Sequence, residues 1–380
     1  MKTILLIVPT LIQGGFERIC IQTANYLKDS ANVKIVLFDS TKNFYDTGDI
    51  EIIDLNKPVK DSKLGKIWNV FSRAILLSKV KRKYKADIAM SFGISAALPN
   101  VMSFNKKCSK WIAFHSYMDF DSPGKTRFVG KHSDRNLCCS RGIAEELKRI
   151  TGLSNVETLY NPYEIDDIVS KSLEETPEIS LEAGDICLTT VGRDDEIKGY
   201  WHLIKAFSLF EKEIPKAKLM IIGMGEFNEC RKLVKDLGLS DKVIFTGVQK
   251  NPYAYLKQAD VFVLSSINEG FPNVMIEALA LSKPVVSTDC LTGPAEILME
   301  NGLSMDTREI VWGDYGVLVP RVKLNNNYNP EDIEPEDRYL AEGLISLVKN
   351  KDKMEEYSSK ANGRARDFSA ERYINNLIKA

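Results

Sequence analysis

Short, apolar, β-branched runs alternate with amphipathic stretches along most of the chain. TILLIV at 3–8 leads into two glycines and then GFERICIQTANYL, where Ile19, Thr23, Tyr26 and Leu27 share one helical face, and VKIVLF follows. The same order restarts near residue 186. ICLTTV, a helical pattern through YWHLIKAFSLF, AKLMII, a helix through CRKLVKDLGL, KVIFTGV, a helix through NPYAYLKQA, VFVLSS, a helix through NVMIEALAL and PVVSTD succeed one another. Strands alternating with helices at this spacing predict parallel sheets with helices on both faces, since a parallel crossover must carry the chain back to the same edge. The pattern therefore predicts an α/β protein of two Rossmann-like domains facing each other across a cleft. The acidic stretch at 161–185, poor in large apolar residues, is expected to be a linker, and 321–338 an exposed loop.

Length and composition agree with two domains. A chain of 380 residues exceeds what one core usually organises. Its 44% hydrophobic and 27% charged residues exclude a disordered or fibrous class. No apolar run approaches the roughly 20 residues that span a bilayer, and TILLIV is too short for a signal core, so the expected location is the cytoplasm. Seven scattered cysteines without CxxC pairs predict buried thiols, and His115, His132 and His202 have no ligand-like spacing, so no metal site is expected.

Charge divides the chain more sharply than its net value of −1 suggests. Residues 1–163 carry 25 basic against 15 acidic side chains, and the remainder carries 26 against 37. The basic excess is densest in 57–85, which holds ten Lys or Arg and one acid, interleaved with Trp68, Val70, Phe71, Ile75, Leu76, Leu77 and Val80. Such a helix either lies on an anionic membrane surface or packs its apolar stripe on the first sheet with its lysines solvated. No nucleic-acid recognition motif accompanies the charge.

Parallel sheets bind ligands beyond the carboxyl ends of their strands. In the second half those loops hold VGRDDEIKG, IIGMGE and SSINEGFPNV. Arg193 and Lys198 there form a diphosphate clamp or an ordinary solvated pair. Gly223 and Gly225 alone say only that a turn needs glycine. In EGFPNVMIEA, Gly270 permits close backbone approach, and a helix starting near Asn273 aims amide donors at an anion. Glu277, inside that helix, can accept hydrogen bonds from vicinal hydroxyls such as a ribose's, and Glu269 can reach the group beyond the phosphates.

The ordered set GGFER at 14–18, VGR with Lys198, IIGMGE, the acid pair Glu269 and Glu277, GPAEI at 293–297 and YGVLVP at 315–320 resembles glycosyltransferase family four, retaining enzymes of GT-B architecture. The resemblance covers nearly the whole chain. It implies a nucleotide-sugar donor, UDP-linked for preference, with no cofactor and no metal, and a lipid-linked or surface-polysaccharide acceptor. It implies an acceptor-binding domain at 1–165, joined by a helix at about 365–380, and a nucleotide-sugar domain at 166–364. Arg193 and Lys198 would neutralise the diphosphate, Glu277 would hold the ribose and Glu269 would face the sugar. Phe271 and Val274 would join Gly270 and Asn273 at the donor. Gly14 and Gly15 would let the first helix approach the phosphates, and His115 matches a functional histidine near the donor sugar. Phe16 and the acidic DDE after VGR depart from commoner members. The rival functions are a sugar-nucleotide epimerase of the same fold and a catalytically silent sugar-nucleotide-binding partner. A dinucleotide oxidoreductase fits less well, because GGFER lacks the G-x-G-x-x-G turn.

Overall fold

The computed structural model describes residues 1–12, 14–41, 43, 45–60, 62–175, 179, 181–182, 184–302 and 306–378. The chain divides into two compact units, Met1–Pro162 with Ala370–Ala380, and Tyr163–Ser369.

The first unit is built on β1 (Thr3–Val8), β2 (Asn32–Leu37), β3 (Glu51–Asp54), β4 (Ile88–Phe92), β5 (Ser109–Phe114), β6 (Arg135–Cys138) and β7 (Val156–Thr158). They form one sheet in the order β3-β2-β1-β4-β5-β6-β7, and the pairings are parallel. Every residue of β1 is buried, as expected for a central strand covered on both faces. Its alternation sorts the two cores. Ile4, Leu6 and Val8 pack with Ile19, Ala24 and Leu27 of the helix Gly15–Leu27, whereas Leu5 and Ile7 pack with Leu77, Ala89 and Ala96 on the opposite face. The helix Ala370–Ile378 completes the first of these cores through Tyr373 and Leu377. The Tyr373 and Thr23 hydroxyls lie 2.8 Å apart, and Arg135 Nη1 donates to the Leu377 carbonyl at 3.3 Å.

The second unit repeats the plan with β8 (Ile186–Val191), β9 (Ala217–Ile222), β10 (Val243–Gly247), β11 (Val261–Leu264), β12 (Val285–Thr288), β13 (Val311–Trp312) and β14 (Val317–Val319). Their order is β10-β9-β8-β11-β12-β14-β13, with β13 antiparallel to β14 at the edge. Leu188, Leu219 and Ile221 enter the larger core with Leu203, Phe207 and Leu344, and Cys187, Met220 and Ile222 face the smaller one. The seven cysteines are buried and unbridged.

Three sequence expectations change here. The expected linker at 161–185 contains the helix Ile165–Lys171, whose Ile165 and Ile168 are buried. Their i, i+3 spacing gives that acidic segment one apolar face, and it packs against the helices Asn273–Ala280 and Pro252–Leu256. The 321–338 stretch is largely exposed as expected, but its end belongs to the helix Pro335–Lys349 and it is pinned: His202 Nε2 lies 2.9 Å from the Lys323 carbonyl, His202 Nδ1 lies 2.5 Å from Asp337 Oδ1, and Lys205 Nζ donates to the Asp332 carbonyl at 2.8 Å. Finally, the basic helix Lys63–Lys83 does not solvate all its lysines. Lys81 is fully buried, and Trp68, Phe71 and Ile75 face outward while Leu77 enters the core.

Candidate functional site

In both sheets the chain leaves a central pair of strands in opposite lateral directions, β1 with β4 and β8 with β11, which opens a crevice at their carboxyl ends. The candidate residues fall at these two places.

In the second unit, β8 and β11 pair in register at Leu188 with Val261 and Thr189 with Phe262, so the loops after Val191 and Leu264 emerge side by side. The first loop continues along the turn after β9: Gly192 N donates to the Ile222 carbonyl at 2.9 Å and Asp194 N to the Met224 carbonyl at 2.8 Å. Gly223, at φ 155°, allows this, since a Cβ there would stand 1.8 Å from the Gly192 carbonyl oxygen. Gly199, at φ 60°, does the same between the loops after β8 and β11, where a Cβ would lie 2.4 Å from the Ser265 carbonyl oxygen. Ser265 Oγ also donates to the Lys198 carbonyl at 2.8 Å.

This close loop packing brings Lys198 Nζ to 2.7 Å from Glu269 Oε1. Both side chains are largely buried, at 19% and 13% exposure, so the pair is shielded from solvent screening. Ser266 Oγ donates to the same carboxylate oxygen at 2.8 Å, and Thr292 Oγ1 donates to the Glu269 carbonyl. Glu269 is thus held at its head and its backbone. Gly270 and Phe271 follow, and the helix Asn273–Ala280 begins two residues later, with Val274 in its first turn. Asn273 accepts a hydrogen bond from the Tyr163 hydroxyl, and Glu277 is buried just over one turn into the helix. Arg193 stays exposed and touches Asp195 Oδ2 at 3.5 Å. It is an exposed cation, whereas Lys198 is held by Glu269.

The acids after Arg193 have structural employment. Asp194 Oδ2 accepts from Phe227 N at 2.7 Å, fixing the turn after β9, and Asp195 Oδ1 accepts from Ile197 N at 3.2 Å, capping the short turn that carries Lys198. A cavity of about 220 Å³ lies on the outer side chains of this segment, walled by Asp194, Asp195, Glu196, Glu229, Trp201 and Tyr328. Four carboxylates there would repel an anion such as a diphosphate. Ser266 and Thr292 escaped the sequence reading because isolated hydroxyls carry no pattern; the serine three residues before Glu269 was the available signal.

In the first unit, Gly14 precedes the helix Gly15–Leu27 and is tied to Tyr45, whose hydroxyl donates to the Gly14 carbonyl at 2.8 Å. The buried Glu17 carboxylate folds back so closely that a Cβ at Gly14 would stand 2.2 Å from Glu17 Oε2. Phe16 is half-buried against the core beside β1. His115 directly follows β5, and its ring stacks on Phe92, the last residue of β4, at 5.6 Å and 11°. The buried Asp119 carboxylate clasps this corner, accepting from the backbone N–H groups of Ile94, His115 and Ser116 at 3.1, 3.2 and 3.3 Å. Burial raises the Asp119 pKa against the pull of those three hydrogen bonds.

Although the His115 residue is partly exposed, both ring nitrogens are buried, with the Asn161 side chain beside the ring. Burial lowers its pKa to about 4, outweighing the opposing influence of the neighbouring Asn161. The imidazole is therefore neutral near pH 7. Its folded pKa lies below the ordinary 6.5, so the unfolded chain binds the extra proton and stability falls as pH drops from about 6.5 to about 4. In His115→Phe, which keeps an aromatic ring against Phe92, the loss of urea midpoint between about pH 7 and about pH 4.5 is expected to be smaller than in the wild type. Equal losses in the two proteins would refute the assignment.

The comparisons with known proteins place this architecture. The crystal structure of Anabaena HepE in complex with UDP and glucose superposes with a TM-score of 0.73 at 17% identity, covering 100% of this chain and 99% of that one. The fold class is that of the GT-B glycosyltransferases. Residues 173–310 match the family model described as glycosyl transferases group 1. A Campylobacter jejuni protein named N-acetylgalactosamine-N,N'-diacetylbacillosaminyl-diphospho-undecaprenol 4-alpha-N-acetylgalactosaminyltransferase is 26% identical over 410 aligned positions, covering 100% of this chain and 99% of that protein. An uncharacterized glycosyltransferase of Methanocaldococcus jannaschii is 38% identical over 221 residues, covering 56% of this chain and 54% of that relative, so the match spans about half the length of each.

Proposed function

We propose that the chain is a retaining transferase that moves a hexose or N-acetylhexosamine from a UDP-sugar to a lipid-linked or surface-polysaccharide acceptor. The observation that carries the donor side is the shielded Lys198 and Glu269 pair at the crevice between β8 and β11. Cleavage of the anomeric C–O bond leaves negative charge on the departing diphosphate and positive charge on the sugar carbon. Lys198, with Arg193 reaching in from the rim and the amides at the start of Asn273–Ala280, meets the first charge; Glu269 faces the second. Glu277 takes the ribose hydroxyls. The acceptor hydroxyl attacks from the face the diphosphate leaves, and its proton passes to a leaving phosphate oxygen, so configuration is retained. His115, neutral and placed directly after β5 beside Asn161, serves a sugar hydroxyl.

The acceptor side is supported by the diphospho-undecaprenol in the name of the Campylobacter relative, and the nucleotide by the UDP in the HepE complex. The first unit is assigned the acceptor and the second the donor. The test is a panel of nucleotide-sugars assayed for hydrolysis and for transfer to a polyprenyl-diphosphate-linked glycan, with the anomer of the product read by NMR. Turnover of UDP-sugars to an axially linked product from an axial donor is expected. An inverted product, an epimerised sugar-nucleotide, or binding without turnover across the panel would overturn the reading. Because side chains and helix amides are assigned the charge work, activity is expected to survive exhaustive chelation. Loss with EDTA that Mg²⁺ or Mn²⁺ restores would refute that assignment.

A further inference from the structure

The helix Lys63–Lys83 is turned inside out relative to an ordinary amphipathic helix. Three of its polar side chains, Asn69, Arg73 and Lys81, point inward and are satisfied there. Asn69 Nδ2 donates to the Pro58 carbonyl at 2.5 Å and Arg73 Nε to the Lys57 carbonyl at 3.1 Å. Lys81 Nζ donates to Asn100 Oδ1 at 2.7 Å and Ser103 Oγ at 2.6 Å. These anchors fix the helix's rotation. The face they leave outward carries Leu64, Ile67, Trp68, Phe71 and Ile75, each between 50% and 81% exposed. At 100° per residue the five fall within an arc of about 100° and run for about 16 Å, then give way on the same face to Lys79 and Arg82. Phe104, 67% exposed, is drawn beside the stripe by its N–H, which donates to Ser78 Oγ at 2.8 Å.

We propose that this face is a docking surface for an anionic lipid bilayer, with the helix lying in the headgroup plane. Five large apolar side chains held in water on a helix whose rotation is fixed are a poor solvent-facing surface but a fitting one for the acyl boundary. The charge selects the occupant. The segment Lys63–Lys83 contains no acidic residue, so a second copy would meet it cation to cation, whereas anionic headgroups supply the opposite sign along with hydrocarbon. Among the described residues no helix is long and apolar enough to cross a membrane, so the contact is peripheral. The proposal stands on the first unit alone and is independent of which sugar or nucleotide is used.

The full chain should co-sediment with phosphatidylglycerol-containing vesicles at low salt and not with pure phosphatidylcholine, and Trp emission should shift to the blue unless Trp68 is replaced by phenylalanine. The triple change Trp68→Ser, Phe71→Ser, Ile75→Ser, confined to exposed positions, should lower partitioning by about tenfold or more. Lys79→Gln with Arg82→Gln and Lys83→Gln should remove most of the salt sensitivity. UDP-sugar hydrolysis should be unchanged in both variants, so failure of the lipid assignment and failure of the donor assignment are told apart. The proposal is overturned if wild type ignores anionic vesicles at low salt, if the triple serine variant binds as well as wild type, or if the stripe instead mediates a dimer that the serine variant abolishes.

Discussion

Lys198→Ala is expected to lower kcat/KM by about a hundred- to a thousandfold while leaving the fold intact. The lysine is assigned to charge that grows on the leaving diphosphate, so its loss should weigh on the transition state more than on the bound donor. Its partner clarifies the size of the effect. In the resting protein Lys198 neutralises Glu269, and both are shielded; removing the cation leaves a largely buried carboxylate that keeps, among the described residues, the Ser266 hydroxyl on that oxygen. That carboxylate would then stand beside an anionic donor and repel it. Arg193→Ala should act in the same direction but less strongly, about tenfold, because that side chain is exposed and only loosely paired at rest. Steady-state kinetics with the best donor, alongside circular dichroism, checks both. Unchanged turnover in the two variants would remove the clamp.

The two acids of the 269–277 stretch are expected to fail in different ways. Glu269→Ala should chiefly lower kcat, by about a hundredfold, because the carboxylate faces charge that appears only as the anomeric bond opens. Glu277→Ala should chiefly raise KM, by about tenfold, because hydrogen bonds to a ribose are made equally before and during the reaction. Glu269→Gln is the informative companion. It keeps an acceptor oxygen for the Ser266 hydroxyl yet loses the charge, so a kcat near that of the alanine variant assigns the effect to charge rather than to packing. If both acids change KM alone, their roles have been wrongly divided.

The plan of both sheets was legible because parallel strands buried on two faces are written as unbroken apolar runs, and TILLIV, ICLTTV and VFVLS cannot be much else at their spacing. Lys198, Glu269 and Glu277 were legible as candidates because they follow the carboxyl ends of strands, where such sheets bind ligands, and the folded loops pair the first two. What supports them was not. Ser266 and Thr292 reach Glu269 through contacts that only the folded loops create, and neither belongs to a periodic pattern. The DDE after Arg193 looked like an unexplained departure until Asp194 and Asp195 were seen capping backbone amides. The basic helix was ambiguous for a sharper reason. It has apolar residues on two faces, one entering the core at Leu77 and one facing out at Trp68, Phe71 and Ile75, and one-dimensional periodicity cannot say which is buried.

The helix Ala370–Ile378 gives the chain an order of assembly. Tyr373 and Leu377 are members of the core beneath β1, yet they are translated after every residue of the second unit. On the ribosome the strands of the first unit emerge early and wait with one wall of their core open, while the second unit can close as soon as its own residues are out. The first unit's last apolar surface is covered only when residues 370–378 arrive. A released chain truncated after residue 369 should therefore hold a finished second unit and an unfinished first one, so a C-terminal truncation harms the end of the protein that was made first.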